Sequence, residues 1–287
     1  MTARQTRNLF GITLMLISGA MLTSVDSISK VFVETYTVSQ ILFVQSLCAL
    51  AALLAFCAAR GKLRLLRVQS VRQHIIRGLL YVVGSYAFLT ALRFLPLADA
   101  VAISFASPII IAALSPMYLG EASSRRRTAA VLVGFLGVLV MLRPGSANIH
   151  WAVLLPLLVA IVDAFRDLLT RRLTITETSQ SLIFYTTATV TVISCPMAVT
   201  NWSPIPAAHV GLFVGAGVMF IGAHYFMVEA FRHGEASVVS PYRYFMLVWS
   251  TLAGFLLWGD LPHSWMIVGA VLTIGSGVYM LLLESKR

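Results

Sequence analysis

The side chains able to do chemistry in this 287-residue chain are few, and most are embedded in apolar sequence. Asp26 and Lys30 are four residues apart, as are Asp167 and Arg171, a spacing that puts both members of a pair on one helix face. Such pairs act either as gates that open and close or as simple reinforcement of helix ends. Arg243 stands two residues after Pro241 in Ser240-Pro241-Tyr242-Arg243-Tyr244. Proline removes an amide donor and breaks the local helical turn. A guanidinium at such a break offers a forked donor suited to a carboxylate or phosphate. Counted from expected helix ends at Arg171, Phe231 and Glu235, the residues Asp163, His224 and Arg243 fall at a common depth of about 10–12 Å, taking a rise of 1.5 Å per residue. These three form the expected centre of a substrate site, with a buried internal ion pair as the alternative for Arg243. Arg166 and Glu229 lie closer to the interface, where snorkelling accounts for them. His224 titrates in the physiological range when unperturbed, so it is a candidate proton acceptor as well as a candidate structural hydrogen-bonder.

The first half of the chain carries a related break, Ser104-Phe105-Ala106-Ser107-Pro108, in which Ser104 takes the place of Arg243. A site built from both would be charged on one wall and hydroxylated on the other. Tyr86, Tyr225 and Tyr242 are the aromatic candidates for its lining, since aromatic faces suit flat or cationic ligands; helix packing is the alternative.

Depth has meaning here only because the chain must lie in a membrane. Apolar residues make up 59% and charged residues 11%, with a mean hydropathy of +0.87. Soluble domains carry about 25% charged residues. Ten apolar stretches of spanning length run near 8–29, 38–58, 75–93, 97–118, 128–142, 151–171, 178–199, 208–231, 235–257 and 263–283. The expectation is an all-α integral membrane protein with ten transmembrane helices and only short connections. The first stretch reads as a retained helix rather than a cleaved leader.

The basic residues set its orientation. If the N-terminus is cytoplasmic, that side holds sixteen Lys and Arg, among them Arg60, Lys62, Arg64, Arg67, Arg72, Arg77 and the run Arg125–Arg127. The other side holds three: Lys30, Arg93 and Arg143. This bias puts both termini in the cytoplasm and accounts for most of the net charge of +10 without nucleic acid.

The two halves repeat. Ala91-Leu92-Arg93 recurs as Ala230-Phe231-Arg232, Tyr86 as Tyr225, and Leu119-Gly120-Glu121 as Trp258-Gly259-Asp260, all 139 residues apart. Ser39-Gln40 recurs as Ser179-Gln180 at 140, and Asp26 and Lys30 recur as Asp167 and Arg171 at 141. Five helices per repeat leave the halves, 1–145 and 146–287, inverted about an axis in the membrane plane. Inverted repeats are a common architecture of secondary transporters, with the site between halves near mid-membrane.

Five plus five helices, the Gly120-Glu121 and Gly259-Asp260 endings and the glycine-rich last helix of each half resemble the drug/metabolite transporter superfamily, and within it the EamA branch. Asp260 stands where the family usually has Glu. The resemblance implies a plasma (inner) membrane protein that moves small metabolites: amino acids and derivatives, nucleotide-like compounds, organic acids or cationic drugs. The expected function is secondary transport of a small polar or charged metabolite by alternating access, through a centre lined by the third, fourth, sixth, eighth and ninth spans. Export of aromatic or cationic compounds is the second reading, and a non-transporting sensor or intramembrane enzyme the third.

No HExxH, GxSxG, phosphate-binding loop or dinucleotide fingerprint occurs in the sequence, so catalysis is not expected. The cysteines Cys48, Cys57 and Cys195 lie singly in apolar runs; neither a metal nor another cofactor is expected. The partners are a small-molecule substrate and the lipid bilayer, with coupling to a proton or an exchange substrate, and homodimerisation, left open.

Overall fold

The computed structural model describes residues 3–107, scattered positions between 110 and 140, 151–173, 175–233, 242–243, 245–260 and 264–285, with side chains left aside at 3–8, 171, 231, 273, 277 and 280–285. The fifth expected span therefore lies largely outside the described residues, as do Glu121, Pro241 and the side chain of Arg171.

The described helices are α1 (Ala3–Phe32), α2 (Val38–Ala59), α3 (Val71–Ala91), α4 (Leu97–Ser104), α5 (Leu154–Leu173), α6 (Ser179–Thr200), α7 (Ala207–His233), α8 (Phe245–Trp258) and α9 (Ser264–Ser285). Five segments, within α1, α2, α3, α6 and α7, are long and apolar enough to cross a membrane. α5 has the length but carries Asp163, Arg166, Asp167, Arg171 and Arg172.

Local sequence explains where the repeat-equivalent helices start. Thr37 caps α2 by accepting from the Gln40 amide, and Thr178 caps α6 by accepting from the Ser181 amide. A threonine oxygen at that position meets one of the amides a helix start leaves without a partner. Inside the helices, hydroxyls fold back onto the carbonyl four residues earlier: Ser27 to Thr23 (2.8 Å), Thr187 to Ile183 (2.8 Å), Ser194 to Val190 (2.6 Å). That bond lets a hydroxyl sit in an apolar medium without an exposed donor.

The distribution of polarity is reversed from that of a soluble protein. Large apolar side chains point outward, with Val192, Leu256 and Val271 each at least 64% exposed, while Gln40, Gln45, Arg77, Arg166 and Ser179 are buried. An outer surface of this kind suits lipid.

Helices pack mainly against the opposite half. α1 lies along α7, α3 along α5, and α2 along both α6 and α7. Exchanging each helix for its repeat equivalent returns the same set of contacts. The α1–α7 and α2–α6 pairs run antiparallel. In α1 and α7, Tyr36 meets His209 (2.7 Å) while Ser18 donates to the Ala223 carbonyl (2.7 Å). In α2 and α6, Thr191 donates to Ser46 (2.8 Å) while Leu53 and Cys57 pack on Ile183. Two glycines permit close approaches between the halves. A Cβ on Gly217 would stand 2.8 Å from the Ala49 nitrogen, and one on Gly78 would stand 2.5 Å from Thr189 Oγ1. Both pairs are repeat equivalents, so the same notch occurs twice.

Arg77 departs from expectation. It was counted with the cytoplasmic bases, yet it is buried two turns into α3 and bound across the halves. Its Nε donates to Thr170 (2.8 Å), and its Nη1 to the Leu182 carbonyl (3.1 Å) and to Thr186.

Candidate functional site

A central cavity opens between the halves and takes residues from nearly every described helix. Its wall is built from repeat-equivalent positions. Tyr81 and Phe220, Ser85 and His224, Phe88 and Met227, and Ser104 and Arg243 are each 139 apart, and both members of every pair line the cavity. The backbone plan is thus shared while the chemistry is not. The first half supplies hydroxyls and one carboxylate, Asp26; the second supplies Asp163, Arg166 and Arg243.

Local backbone irregularity aims two of these groups. At the end of α4 the Phe105 amide is shared between the Val101 (3.1 Å) and Ala102 (3.3 Å) carbonyls, and the Ala106 amide bonds Ile103 (3.0 Å). The helix tightens to a three-residue step there, beside the lining residues Ser104, Phe105 and Ser107. Tyr242 and Arg243 form a similar tight turn ahead of α8. Glu235 and the residues up to Pro241, from which the depth of Arg243 is counted, lie outside the described residues.

The charges form an alternating chain. Arg166 bonds Asp163 (2.8 Å) and Asp167 (3.1 Å), and Arg243 bonds Asp167 (2.7 Å). Each charge in the chain meets an opposite one, the arrangement that makes burial of ions tolerable. Arg243 is thus paired with Asp167, not with Glu229 or Asp163. Glu229 instead accepts from Ser179 (3.0 Å) and bonds Arg232 (3.1 Å). Arg166 is buried at the cavity wall rather than reaching to an interface.

Of the two expected gating pairs, Asp26–Lys30 is corrected. Lys30 does not pair with Asp26; it crosses to the other half, bonding Asp260 (3.3 Å) and lying 4.7 Å from the centre of the Trp258 ring. Asp26 lines the cavity. The described partners of Asp167 are Arg166 and Arg243, with the Arg171 side chain outside the described residues. The physical reason is that an i,i+4 spacing only permits a contact, and a better-placed charge on another helix takes precedence.

Of the expected lining residues, Asp163, His224, Arg243 and Ser104 surround the cavity, and Tyr86, Tyr225 and Tyr242 do not. The Tyr86 hydroxyl faces Met197, Tyr225 is 36% exposed, and Tyr242 stacks on Phe245 at 6.1 Å. The ring of His224 lies 4.2 Å from that of Phe220, and its Nδ1 meets the Phe220 carbonyl at 3.0 Å. Gln45, Ser46, Tyr81, Ser85 and Thr187 also line the cavity. The sequence carried a signal for two of them: Ser85 and Tyr81 are the equivalents of His224 and Phe220.

Comparison with known proteins agrees with this architecture. One solved crystal structure superposes with a TM-score of 0.68 at 19% identity, covering 99% of both chains, a likeness of fold. The S-adenosylmethionine uptake transporter of Rickettsia prowazekii (strain Madrid E) is 28% identical over 82% of this chain and 79% of its own. The riboflavin transporter of Rhizobium johnstonii is 30% identical over 75% of this chain and 72% of its own. The pseudopaline exporter CntI of Pseudomonas aeruginosa is 27% identical over 92% and 93%. The EamA-like transporter family matches twice, at residues 9–143 and 150–283. An all-helical chain with apolar spans, a central cavity between two repeats and a double match of this extent belongs to the EamA-like transporter family.

Proposed function

We propose that the chain is a secondary transporter that moves a small polar or charged metabolite by alternating access, through ten helices arranged as an inverted pair of repeats, 1–145 and 146–287. The observation that carries this reading is the cavity lined by repeat-equivalent residues of both halves. The antiparallel course of α2 and α6, which are each other's equivalents, supports the inversion. The basic-residue bias supports cytoplasmic termini in the plasma (inner) membrane.

The substrate site comprises Asp163, His224, Ser104 and Arg243. Since Arg243 Nη1 is held by Asp167, the arginine would meet an anionic group with its remaining donors. Lys30 and Asp260 join the two halves and act as one gate. A gradient or an exchange substrate supplies the energy. The relatives named for S-adenosylmethionine, riboflavin and pseudopaline support a metabolite as cargo and differ in direction of movement.

The test compares metabolites retained by cells with and without the protein, followed by flux of the identified compound into liposomes holding purified protein. Transport predicts a solute that crosses chemically unaltered. Identical metabolite profiles, or a solute altered by the protein, would count against the reading.

A further inference from the structure

We propose that Asp26 is the counter-ion for a positively charged group on the substrate, so that the cavity takes an organic cation or a zwitterion, such as an ammonium or a sulfonium. The inference rests on the transporter reading and narrows its substrate class.

Asp26 lies in the last third of α1 with its side chain at the cavity wall. Among the described residues it has no hydrogen-bond or ion-pair partner. The base one turn away, Lys30, is held by Asp260 and Trp258. The bases across the cavity are also engaged: Arg166 by Asp163 and Asp167, Arg243 by Asp167. The third buried guanidinium, Arg77, is turned into the seam between α5 and α6, on Thr170, Thr186 and the Leu182 carbonyl, and is not part of the wall. Asp26 is therefore the carboxylate of the wall left without a base. It also lies near enough to Asp163 for the two to interact electrostatically.

An ionised carboxylate in a membrane span carries a large desolvation cost unless a counter-charge arrives. A substrate cation would bring that charge. The wall around it also suits a cation, because Tyr81, Phe88, Phe105 and Phe220 present aromatic rings to the same cavity, and aromatic faces attract cations. The repeat isolates the feature further. The equivalent of Asp26 is Asp167, which is saturated by two arginines. One acid of the pair is spent on structure and the other is free to meet a ligand.

The test measures binding to purified, detergent-solubilised full-length protein, using two probe pairs that differ chiefly in charge: (2-hydroxyethyl)dimethylsulfonium with its carbon isostere 3-methylbutan-1-ol, and choline with its carbon isostere 3,3-dimethylbutan-1-ol. The wild type is expected to prefer the cation of at least one pair. Asp26→Asn should weaken that cation about tenfold or more, the loss of one charged contact, and leave the neutral partner unchanged. Asp26→Glu should retain most of the preference, which a merely structural role would not produce. The proposal is overturned if neither cation is preferred by the wild type, if Asp26→Asn keeps the preference, or if cation and neutral partner lose affinity equally. If Asp26→Asn does not yield folded protein, the wild-type and Asp26→Glu preferences decide. Binding is read without flux, so failure here leaves the transport reading standing, and failure of the metabolite comparison leaves this result standing.

Discussion

Replacing Gly217 and Gly78 by alanine tests whether the halves are held by two equivalent notches. At Gly217 the added methyl would sit 2.8 Å from the Ala49 nitrogen, 2.8 Å from Cys48 Cβ and 3.0 Å from the Gln45 carbonyl oxygen. Ordinary contact begins at 3.4 Å, so α7 must move about 0.6 Å off α2 along a close-packed seam, and overpacking of that order costs about 1–3 kcal/mol. At Gly78 the obstacles all belong to Thr189: Oγ1 at 2.5 Å, Cβ at 2.7 Å and Cγ2 at 2.9 Å. That hydroxyl is anchored on the Tyr185 carbonyl at 2.7 Å, which limits how far it can turn aside. Both single substitutions should lower the temperature at which detergent-solubilised protein loses its monodisperse elution peak. The second substitutions separate them. Thr189→Gly removes every obstructing atom, so Gly78→Ala with Thr189→Gly moves the notch to the other helix and should regain most of the loss. Cys48→Gly removes one of three obstacles and leaves the backbone atoms, so it should not rescue Gly217→Ala. Unaltered stability of both alanine variants, or full rescue at both sites, would refute the reasoning.

Three further outcomes are expected. Exchanging Lys30 and Asp260 should keep the latch, whereas Lys30→Gln should shift the balance of open states by up to about fivefold, as a partly exposed pair is worth about 0.2–1 kcal/mol; accessibility of a cysteine placed in the cavity reads it. Arg77→Met should cost about 1.5–3 kcal/mol, the worth of a charged hydrogen bond, and lower the yield of folded protein. Arg77→Lys should recover little, because an ammonium does not reproduce the guanidinium fork. Cysteines placed at Lys62 and Asn201 should react with an impermeant thiol reagent from opposite sides, Lys62 from the cytoplasm.

The bounds of α2 and α6 were legible because an apolar run that follows a capping threonine has few other solutions. α2, expected at 38–58, spans Val38–Ala59, and α6, expected at 178–199, spans Ser179–Thr200. The partners of charges were not legible, because spacing arguments see one helix at a time. Lys30 has its acid 230 residues away, and Arg77 looked like a cytoplasmic base because it stands only two residues inside the expected start of its span, whereas α3 begins at Val71. The tyrosines failed in a different way. Repeat equivalence related Tyr86 to Tyr225 correctly, but equivalence states that two positions share an environment, not which one. Their neighbours Ser85 and His224 line the cavity, and one residue is about 100° around a helix.

The crossed packing of the halves also has a cost in time. Arg77 depends on Thr170, Leu182 and Thr186, and Lys30 on Asp260, yet those partners all belong to the second half and are made later. At about 5–20 residues per second, Arg77 spends several seconds or more in the growing chain before Thr170 exists, and Lys30 waits longer still. During that interval the first half holds two unpaired cations and the buried glutamines Gln40 and Gln45 with no second half to cover them. Membrane insertion of this chain is therefore a matter of sheltering an unfinished polar interior, and whatever holds the first half at the point of insertion must tolerate polar side chains until the second half arrives.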